Sequence, residues 1–115
     1  MEGVSRPVLL LVEDDELVRT VTADLLIEMG YDVREAETAE AALAVLDDAV
    51  EVLVTDIGLP DADGRDLARQ ARGRVPGIAV VIATGDPGEQ DGAIWLTKPY
   101  DAEALREALK KARGL

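Results

Sequence analysis

The sequence contains no cysteine and no histidine, and each absence removes whole classes of chemistry. Without cysteine there are no disulfides, no thiolate nucleophiles and no cysteine-bound zinc. Without histidine there is no Ser-His-Asp triad, no imidazole general base and no histidine metal ligand. Catalysis or metal binding must therefore depend on carboxylates, hydroxyls, amines and the backbone.

Basic and aromatic residues are scarce as well. Aromatics make up 3% of the chain, and 12 basic residues stand against 24 acidic ones, for a net charge of −12. Such a chain is repelled by nucleic-acid phosphates and anionic lipids, so we expect protein partners and bound cations, with no nucleic acid and no membrane. Residues 1–7 lack a signal-peptide core, and no apolar run approaches the ~18 residues of a membrane span, which favours a cytoplasmic protein.

The 115 residues, 48% of them hydrophobic, have the composition of one domain, so residues 1–115 are expected to form a single domain without an output domain. Five short β-type runs alternate with helical patterns, and most of these runs are continuously apolar, as in strands buried on both faces of a parallel sheet. This alternation favours an α/β, doubly wound five-stranded parallel sheet in the order 2-1-3-4-5. The predicted strands are residues 8–12, 31–36, 52–55, 78–83 and 93–96.

The first predicted helix has an apolar face with residues at every fourth position, and it ends at Gly30. That face consists of Leu17, Val21, Leu25 and Met29. Thr38 and Asp101 are predicted to cap the second and the last helix, because their side-chain oxygens can accept hydrogen bonds from first-turn N–H groups. Asp15 can cap the first helix or contact a metal, and we favour the cap.

In doubly wound sheets the functional site lies beyond the carboxyl ends of the strands. Polar side chains follow four of the predicted strands at that edge, which makes the combination specific although each residue type alone is common. They are Glu13 and Asp14 after strand 1, Asp56 after strand 3, Thr84 after strand 4 and Lys98 after strand 5.

Carboxylates gathered at one edge repel each other unless a cation lies between them, and hard oxygen ligands suit Mg²⁺. The predicted ligands are Glu13, Asp14 and Asp56, with a backbone carbonyl near Gly58 as a possible fourth group. A carboxylate can attack phosphorus and form an aspartyl phosphate when the charge on the phosphoryl oxygens is neutralised. Mg²⁺, the Lys98 ammonium and the Thr84 hydroxyl would do this, and the donor can be a histidine of another protein.

These residues resemble the bacterial response-regulator receiver family over essentially the whole chain. The matching segments are residues 8–15, 55–64, 83–85 and 97–100. The resemblance implies a flavodoxin-like fold, a cis Lys98–Pro99 bond and the following roles: Asp56 as phosphoacceptor, Glu13 and Asp14 as metal-binding acids, Thr84 as switch hydroxyl and Lys98 as the family's lysine. Trp95 holds the place of an aromatic that turns inward when the switch hydroxyl moves, but it can equally be an ordinary strand aromatic.

The resemblance also implies a function. The protein is expected to accept a phosphoryl group from a histidine kinase or a histidine phosphotransfer protein, and then to change its binding to a downstream protein. It would not be an enzyme in the usual sense, since it would catalyse only the phosphorylation and dephosphorylation of its own aspartate.

The connection after Thr84 departs from the family pattern. Residues 85–92 contain three glycines and one proline, and a helical crossover needs at least ~10–12 residues. We therefore predict that the family's fourth helix is missing or reduced to a turn. This resembles a subgroup of stand-alone receivers with an Ala-Thr-Gly motif. Because many receivers dimerise through a face that includes this helix, a monomer is expected.

Other interpretations stay open. The chain can be the receiver portion of a hybrid histidine kinase, or a pseudo-receiver that only binds partners. A phosphatase of the haloacid-dehalogenase type would need Asp-x-Asp after the first strand, where this chain has Glu13 in the first place. No Gly-x-Gly-x-x-Gly or Walker loop follows that strand, which disfavours a nucleotide-binding domain. The cognate kinase, the downstream target, the stimulus and the phosphoryl lifetime cannot be inferred from the sequence.

Overall fold

The computed structural model describes residues 6–85 and 93–115. Five parallel strands form one sheet in the order β2-β1-β3-β4-β5. The strands are β1 (Val8–Val12), β2 (Asp32–Ala36), β3 (Val50–Asp56), β4 (Ala79–Thr84) and β5 (Ile94–Thr97), and the helices are α1 (Glu16–Glu28), α2 (Ala39–Val45), α3 (Gly64–Arg74) and α4 (Ala102–Arg113). The predicted α/β, doubly wound, flavodoxin-like arrangement is confirmed.

The sheet separates two hydrophobic layers, because successive side chains of a strand point to opposite faces. On β1, Leu10 and Val12 pack into the layer that also contains residues of α2 and α3. Leu9 and Leu11 pack into the other layer, with residues of α1 and α4 such as Leu26. Both faces of the sheet are therefore covered, which explains why β1 is apolar at every position.

The predicted helix caps are confirmed. Thr38 accepts a hydrogen bond from the N–H of Ala41 at the start of α2, and Asp101 accepts one from Ala104 at the start of α4. Asp15 caps α1 by accepting a hydrogen bond from the Val18 N–H. Capping is thus the role of Asp15 that the structure shows, and each of these helices begins where its cap predicts.

The predicted apolar face of α1 is confirmed only in its second half, where Leu25 and Met29 are partly buried and pack against the core. Leu17 is 73% exposed and Val21 is 51% exposed, whereas Thr22, Ala23 and Leu26 face the sheet. Successive helical residues are rotated by roughly 100° around the axis, so the row that packs on the sheet is displaced by one position from the row of large apolar residues. Leu17 and Val21 instead line an apolar groove between α1 and the segment that follows β5.

The prediction of a missing or reduced helix between β4 and β5 concerns residues that largely lie outside those described. Of this connection, the structure describes Gly85 and Ala93. Within residues 6–85 and 93–115, no helix is both long and apolar enough to cross a membrane.

Candidate functional site

The strand register gathers four strand ends at one edge of the sheet. Val12 of β1 is opposite Thr55 of β3, and Thr84 of β4 is opposite Thr97 of β5. Because the strands are parallel, the residues that follow them emerge on the same side. The predicted site residues Glu13, Asp14, Asp56, Thr84 and Lys98 therefore all lie along this edge.

Three carboxylates come together there. Each of Glu13, Asp14 and Asp56 offers an oxygen that lies within 4.8 Å of the others. Glu13 is buried, Asp56 is half-buried and Asp14 is exposed, so the cluster opens from the sheet towards solvent. Oxygen ligands of this number and charge fit Mg²⁺, which commonly takes a few carboxylates and keeps several waters.

Lys98 neutralises the inner part of this cluster. Its ammonium nitrogen lies 2.9 Å from Glu13 Oε1 and 2.9 Å from Asp56 Oδ1. Burial alone would lower the pKa of Lys98, but its hydrogen bonds to Glu13 and Asp56 outweigh burial and raise the pKa above its ordinary value. Lys98 is therefore a permanent cation between two acids. The Lys98–Pro99 peptide bond is cis, as the resemblance implies.

The β1–α1 turn is held by its own backbone and by the side chain of Glu13. The Glu13 N–H donates to the carbonyl of Ala36, 3.0 Å away, at the end of β2. Glu13 Oε2 accepts a hydrogen bond from the Asp15 N–H at 3.0 Å. Since Lys98 occupies the other carboxylate oxygen, both oxygens of this buried side chain are satisfied.

The backbone next to Asp56 is closely packed against β4 and the start of α3. Its neighbour Ile57 donates to the carbonyl of Ala83 at 3.0 Å and accepts from the Gly64 N–H at 2.7 Å. A Cβ atom on Gly64 would lie 2.3 Å from the carbonyl oxygen of Asp56, so only glycine fits there. A Cβ on Gly58 would lie 4.0 Å from Asp56 Oδ2, which leaves that side of the carboxylate open.

Thr84 and Trp95 lie on the strands that flank this opening. Thr84 is 5% exposed, and its carbonyl accepts a hydrogen bond from the Lys98 N–H at 2.9 Å. Trp95 is opposite Ile82 of β4 and packs against the layer that contains α2 and α3. Its indole Nε1 is buried and has no hydrogen-bond partner among the described residues. The switch role of Thr84 and Trp95 stays a prediction.

Three supporting residues were not predicted. Arg19 donates from Nη1 to the Glu13 carbonyl at 2.9 Å, and the hydroxyl groups of Tyr100 and Thr22 are hydrogen-bonded at 2.9 Å. Arg19 lies one helical turn after the cap Asp15, a spacing that could have indicated a contact with the β1–α1 turn. The contact between Thr22 and Tyr100 joins segments far apart in the chain, and no sequence pattern indicates it.

The family model described as response regulator receiver domain matches residues 9–110. The chain belongs to the response regulator receiver domain family. It is thus a receiver domain of two-component signalling. Receiver domains bind Mg²⁺ at an acidic pocket, and this chain has an acidic cluster of Glu13, Asp14 and Asp56 at its strand ends.

Curated relatives agree with this assignment. The response regulator FleR of Pseudomonas aeruginosa is 32% identical over 89% of this chain, and the transcriptional regulatory protein AruR of the same species is 35% identical over 95%. This receiver domain spans only 24% of FleR and 49% of AruR. The chemotaxis protein CheY1 of Helicobacter pylori is 29% identical, and the match covers 92% of this chain and 96% of CheY1.

Solved structures show the same fold. The receiver domain of the hybrid histidine kinase CckA is 34% identical, with a TM-score of 0.81 and coverage of 92% of this chain and 98% of that one. A CheY-like receiver domain protein from Methanospirillum hungatei is 28% identical, with a TM-score of 0.85 and coverage of 96% and 95%.

Proposed function

We propose that this receiver domain is a phosphoacceptor in a two-component phosphorelay, with Asp56 as the residue that is phosphorylated. The observation that carries the proposal is the convergence of three carboxylates whose oxygens lie within 4.8 Å of one another, with two of the three, Glu13 and Asp56, paired with the ammonium of Lys98. A cluster with this excess of negative charge attracts a divalent cation, and a phosphoryl group bound beside that cation would meet the carboxylate of Asp56.

The chemistry follows from the two oxygens of Asp56. Oδ1 is hydrogen-bonded to Lys98, whereas Oδ2 lies on the open side next to Gly58. In the proposed step, Oδ2 attacks the phosphorus of a phosphohistidine on the partner. The new O–P bond forms as the P–N bond breaks, and the electron pair of that bond stays on the imidazole nitrogen. Lys98 is placed to turn from the carboxylate to the phosphoryl oxygens as negative charge moves onto them.

Glu13 and Asp14, together with Asp56, would hold Mg²⁺, and a backbone carbonyl at Gly58 is a further proposed ligand. When bound, the metal ion neutralises the phosphoryl oxygens and so lowers the barrier to attack by an anion. Thr84 would donate its hydroxyl to a phosphoryl oxygen, and the resulting shift of Thr84 would let Trp95 move. Through this change the phosphorylated form would bind a downstream protein differently.

The proposed partners are a histidine kinase or a histidine phosphotransfer protein, and a downstream target protein. Two domain organisations of the whole protein are compatible with those seen among its relatives. CheY1 is matched over 96% of its length, whereas CckA is a hybrid histidine kinase that carries its receiver as one domain. A stand-alone, monomeric receiver stays our prediction, with the receiver of a hybrid kinase as the alternative.

Incubation with acetyl phosphate and Mg²⁺ tests the proposal. We expect up to one phosphoryl group per chain on the wild type, none after chelation with EDTA, and none on Asp56→Asn. Asp48→Asn, which removes an exposed carboxylate elsewhere in the chain, is the matched control and should be labelled normally. Equal labelling of Asp56→Asn would contradict the proposal. Continuous turnover of phosphoesters without a stoichiometric adduct would instead favour a phosphatase.

A further inference from the structure

Within residues 6–85 and 93–115, nothing fixes the carboxylate of Asp14. It is the exposed member of the acidic pocket, and no hydrogen bond or ion pair fixes it among the residues that the structure describes. Glu13 and Asp56, by contrast, are both tied to Lys98. The direction in which Asp14 points therefore depends on the backbone of the β1–α1 turn.

Arg19 holds that backbone. Its Nη1 donates to the carbonyl of Glu13 at 2.9 Å, and this carbonyl belongs to the peptide group that connects Glu13 to Asp14. Its Nε donates to Glu35 Oε1 at 3.3 Å, at the end of β2. The guanidinium thus bridges the turn and the neighbouring strand, and the Arg19 side chain is only 15% exposed.

We infer that Arg19 is a positioning residue for the metal site: it fixes the Glu13–Asp14 peptide so that the Asp14 carboxylate stays directed at the cation. This inference rests on the proposed function, because it assumes that the acidic pocket binds Mg²⁺. Arg19 would act through the backbone and would contact neither the metal nor the phosphoryl group.

A positioning role and a purely electrostatic role of Arg19 predict opposite changes in Mg²⁺ affinity when Arg19 is removed. The guanidinium sits on the carbonyl of Glu13, and its positive charge opposes the binding of a second cation at the neighbouring metal site, so its removal should by charge alone tighten Mg²⁺ binding. If Arg19 instead orients a ligand, its removal should weaken binding by about 10–100-fold, the usual effect of losing a group that orients a metal ligand. Whether the affinity for Mg²⁺ rises or falls on removal of Arg19 therefore distinguishes the two roles.

The experiment measures the dissociation constant of Mg²⁺ by calorimetric titration of the unphosphorylated protein. Arg19→Met and Arg19→Lys are compared with the wild type and with Arg106→Met, which removes an exposed arginine paired with Glu103 on α4. We expect both Arg19 variants to bind Mg²⁺ more weakly, because an ammonium cannot bridge two acceptors as the planar guanidinium does. Arg106→Met should bind Mg²⁺ as the wild type does.

A second measurement separates a positioning effect from a folding defect. Thermal unfolding is recorded with and without Mg²⁺, since at a given concentration a ligand that binds the folded state more tightly stabilises it more. The Arg19 variants should gain less from Mg²⁺ than the wild type, whatever their stability in EDTA. Their labelling by acetyl phosphate should recover at high Mg²⁺, unlike that of Asp56→Asn.

Each outcome is decisive. Tighter Mg²⁺ binding by Arg19→Met with unchanged binding by Arg19→Lys would show a charge effect and overturn the inference, as would unchanged binding by both. If the wild type bound no Mg²⁺ at all, the proposed function itself would fail. A variant that binds weakly and regains labelling at high Mg²⁺ supports the positioning role.

Discussion

Replacing Gly64 by alanine is expected to destabilise the protein by about 3 kcal/mol, at the upper end of the usual range for overpacking. The new Cβ would lie 2.3 Å from the Asp56 carbonyl oxygen, 2.9 Å from the Ile57 Cα and 3.1 Å from the Asp56 carbonyl carbon. All three are backbone atoms, so no side chain can turn aside to make room. Relief requires β3 and α3 to separate next to Asp56, the proposed phosphoacceptor.

Gly73 provides the matched control on the same helix. A Cβ at Gly73 would meet nothing within 4 Å, and the residue is exposed. Gly73→Ala should therefore stabilise the protein by about 0.5–1 kcal/mol, because alanine loses less backbone entropy in a helix than glycine does. Urea unfolding of both variants measures the difference. Equal changes of the same sign in both would contradict the close approach of Gly64 to Asp56.

Gly64→Ala should slow the phosphorylation of Asp56 as well as destabilise the protein. Because the clash moves the backbone of Asp56, we expect Gly64→Ala to be labelled more slowly by acetyl phosphate even where it remains folded. Gly58→Ala tests the other side of Asp56, where a Cβ would make an ordinary contact of 4.0 Å with Oδ2. Its free energy of unfolding should stay close to that of the wild type.

Replacing Lys98 by methionine should slow the phosphorylation of Asp56 by about 10²–10³-fold, the usual effect of removing one donor that stabilises charge in a transition state. Methionine keeps an unbranched apolar side chain but cannot donate a hydrogen bond. In EDTA the variant should also lose about 1–2 kcal/mol of stability, less than for a fully buried pair because Lys98 is partly exposed. Glu13 would keep its hydrogen bond from Asp15 but lose its cation.

Adding Mg²⁺ should restore the stability of Lys98→Met but not its rate of phosphorylation. Without the competing ammonium, the three carboxylates should bind the metal ion more tightly, and the loss of stability should shrink as Mg²⁺ is added. Phosphorylation should stay slow, because the metal ion cannot replace the second cation beside the phosphoryl group. Lys111→Met, which removes an exposed lysine from the last turn of α4, should change neither property. Rapid labelling of Lys98→Met would contradict this assignment.

Much of the site could be predicted from the sequence because it lies directly after the strands. A buried parallel strand is recognisable from its apolar residues, and the next polar residue marks the carboxyl edge of the sheet. Glu13, Asp56 and Lys98 could therefore be placed together before any contact was known. The caps at Asp15 and Thr38 could be predicted for a similar reason, because a cap bonds to its own helix.

Features that depend on how distant segments meet could not be predicted. The first half of the α1 face was misplaced because Leu17 and Val21 are apolar enough to suggest a core face, although they are exposed and Ala23 is buried instead. The pattern of large apolar residues does not reveal which row of a helix meets the sheet. The close approach of Gly64 to Asp56 could not be predicted either, because it depends on the path of the whole β3–α3 loop.

The most direct test of the account is to locate the phosphoryl group. Protein labelled with acetyl phosphate and Mg²⁺ is reduced with borohydride, which converts an aspartyl phosphate into homoserine, and its peptides are then sequenced by mass spectrometry. We predict homoserine at position 56 alone, and none in Asp56→Asn. Homoserine at position 14, or labelling of Asp56→Asn to the wild-type level, would contradict the claim that Asp56 is the phosphoacceptor.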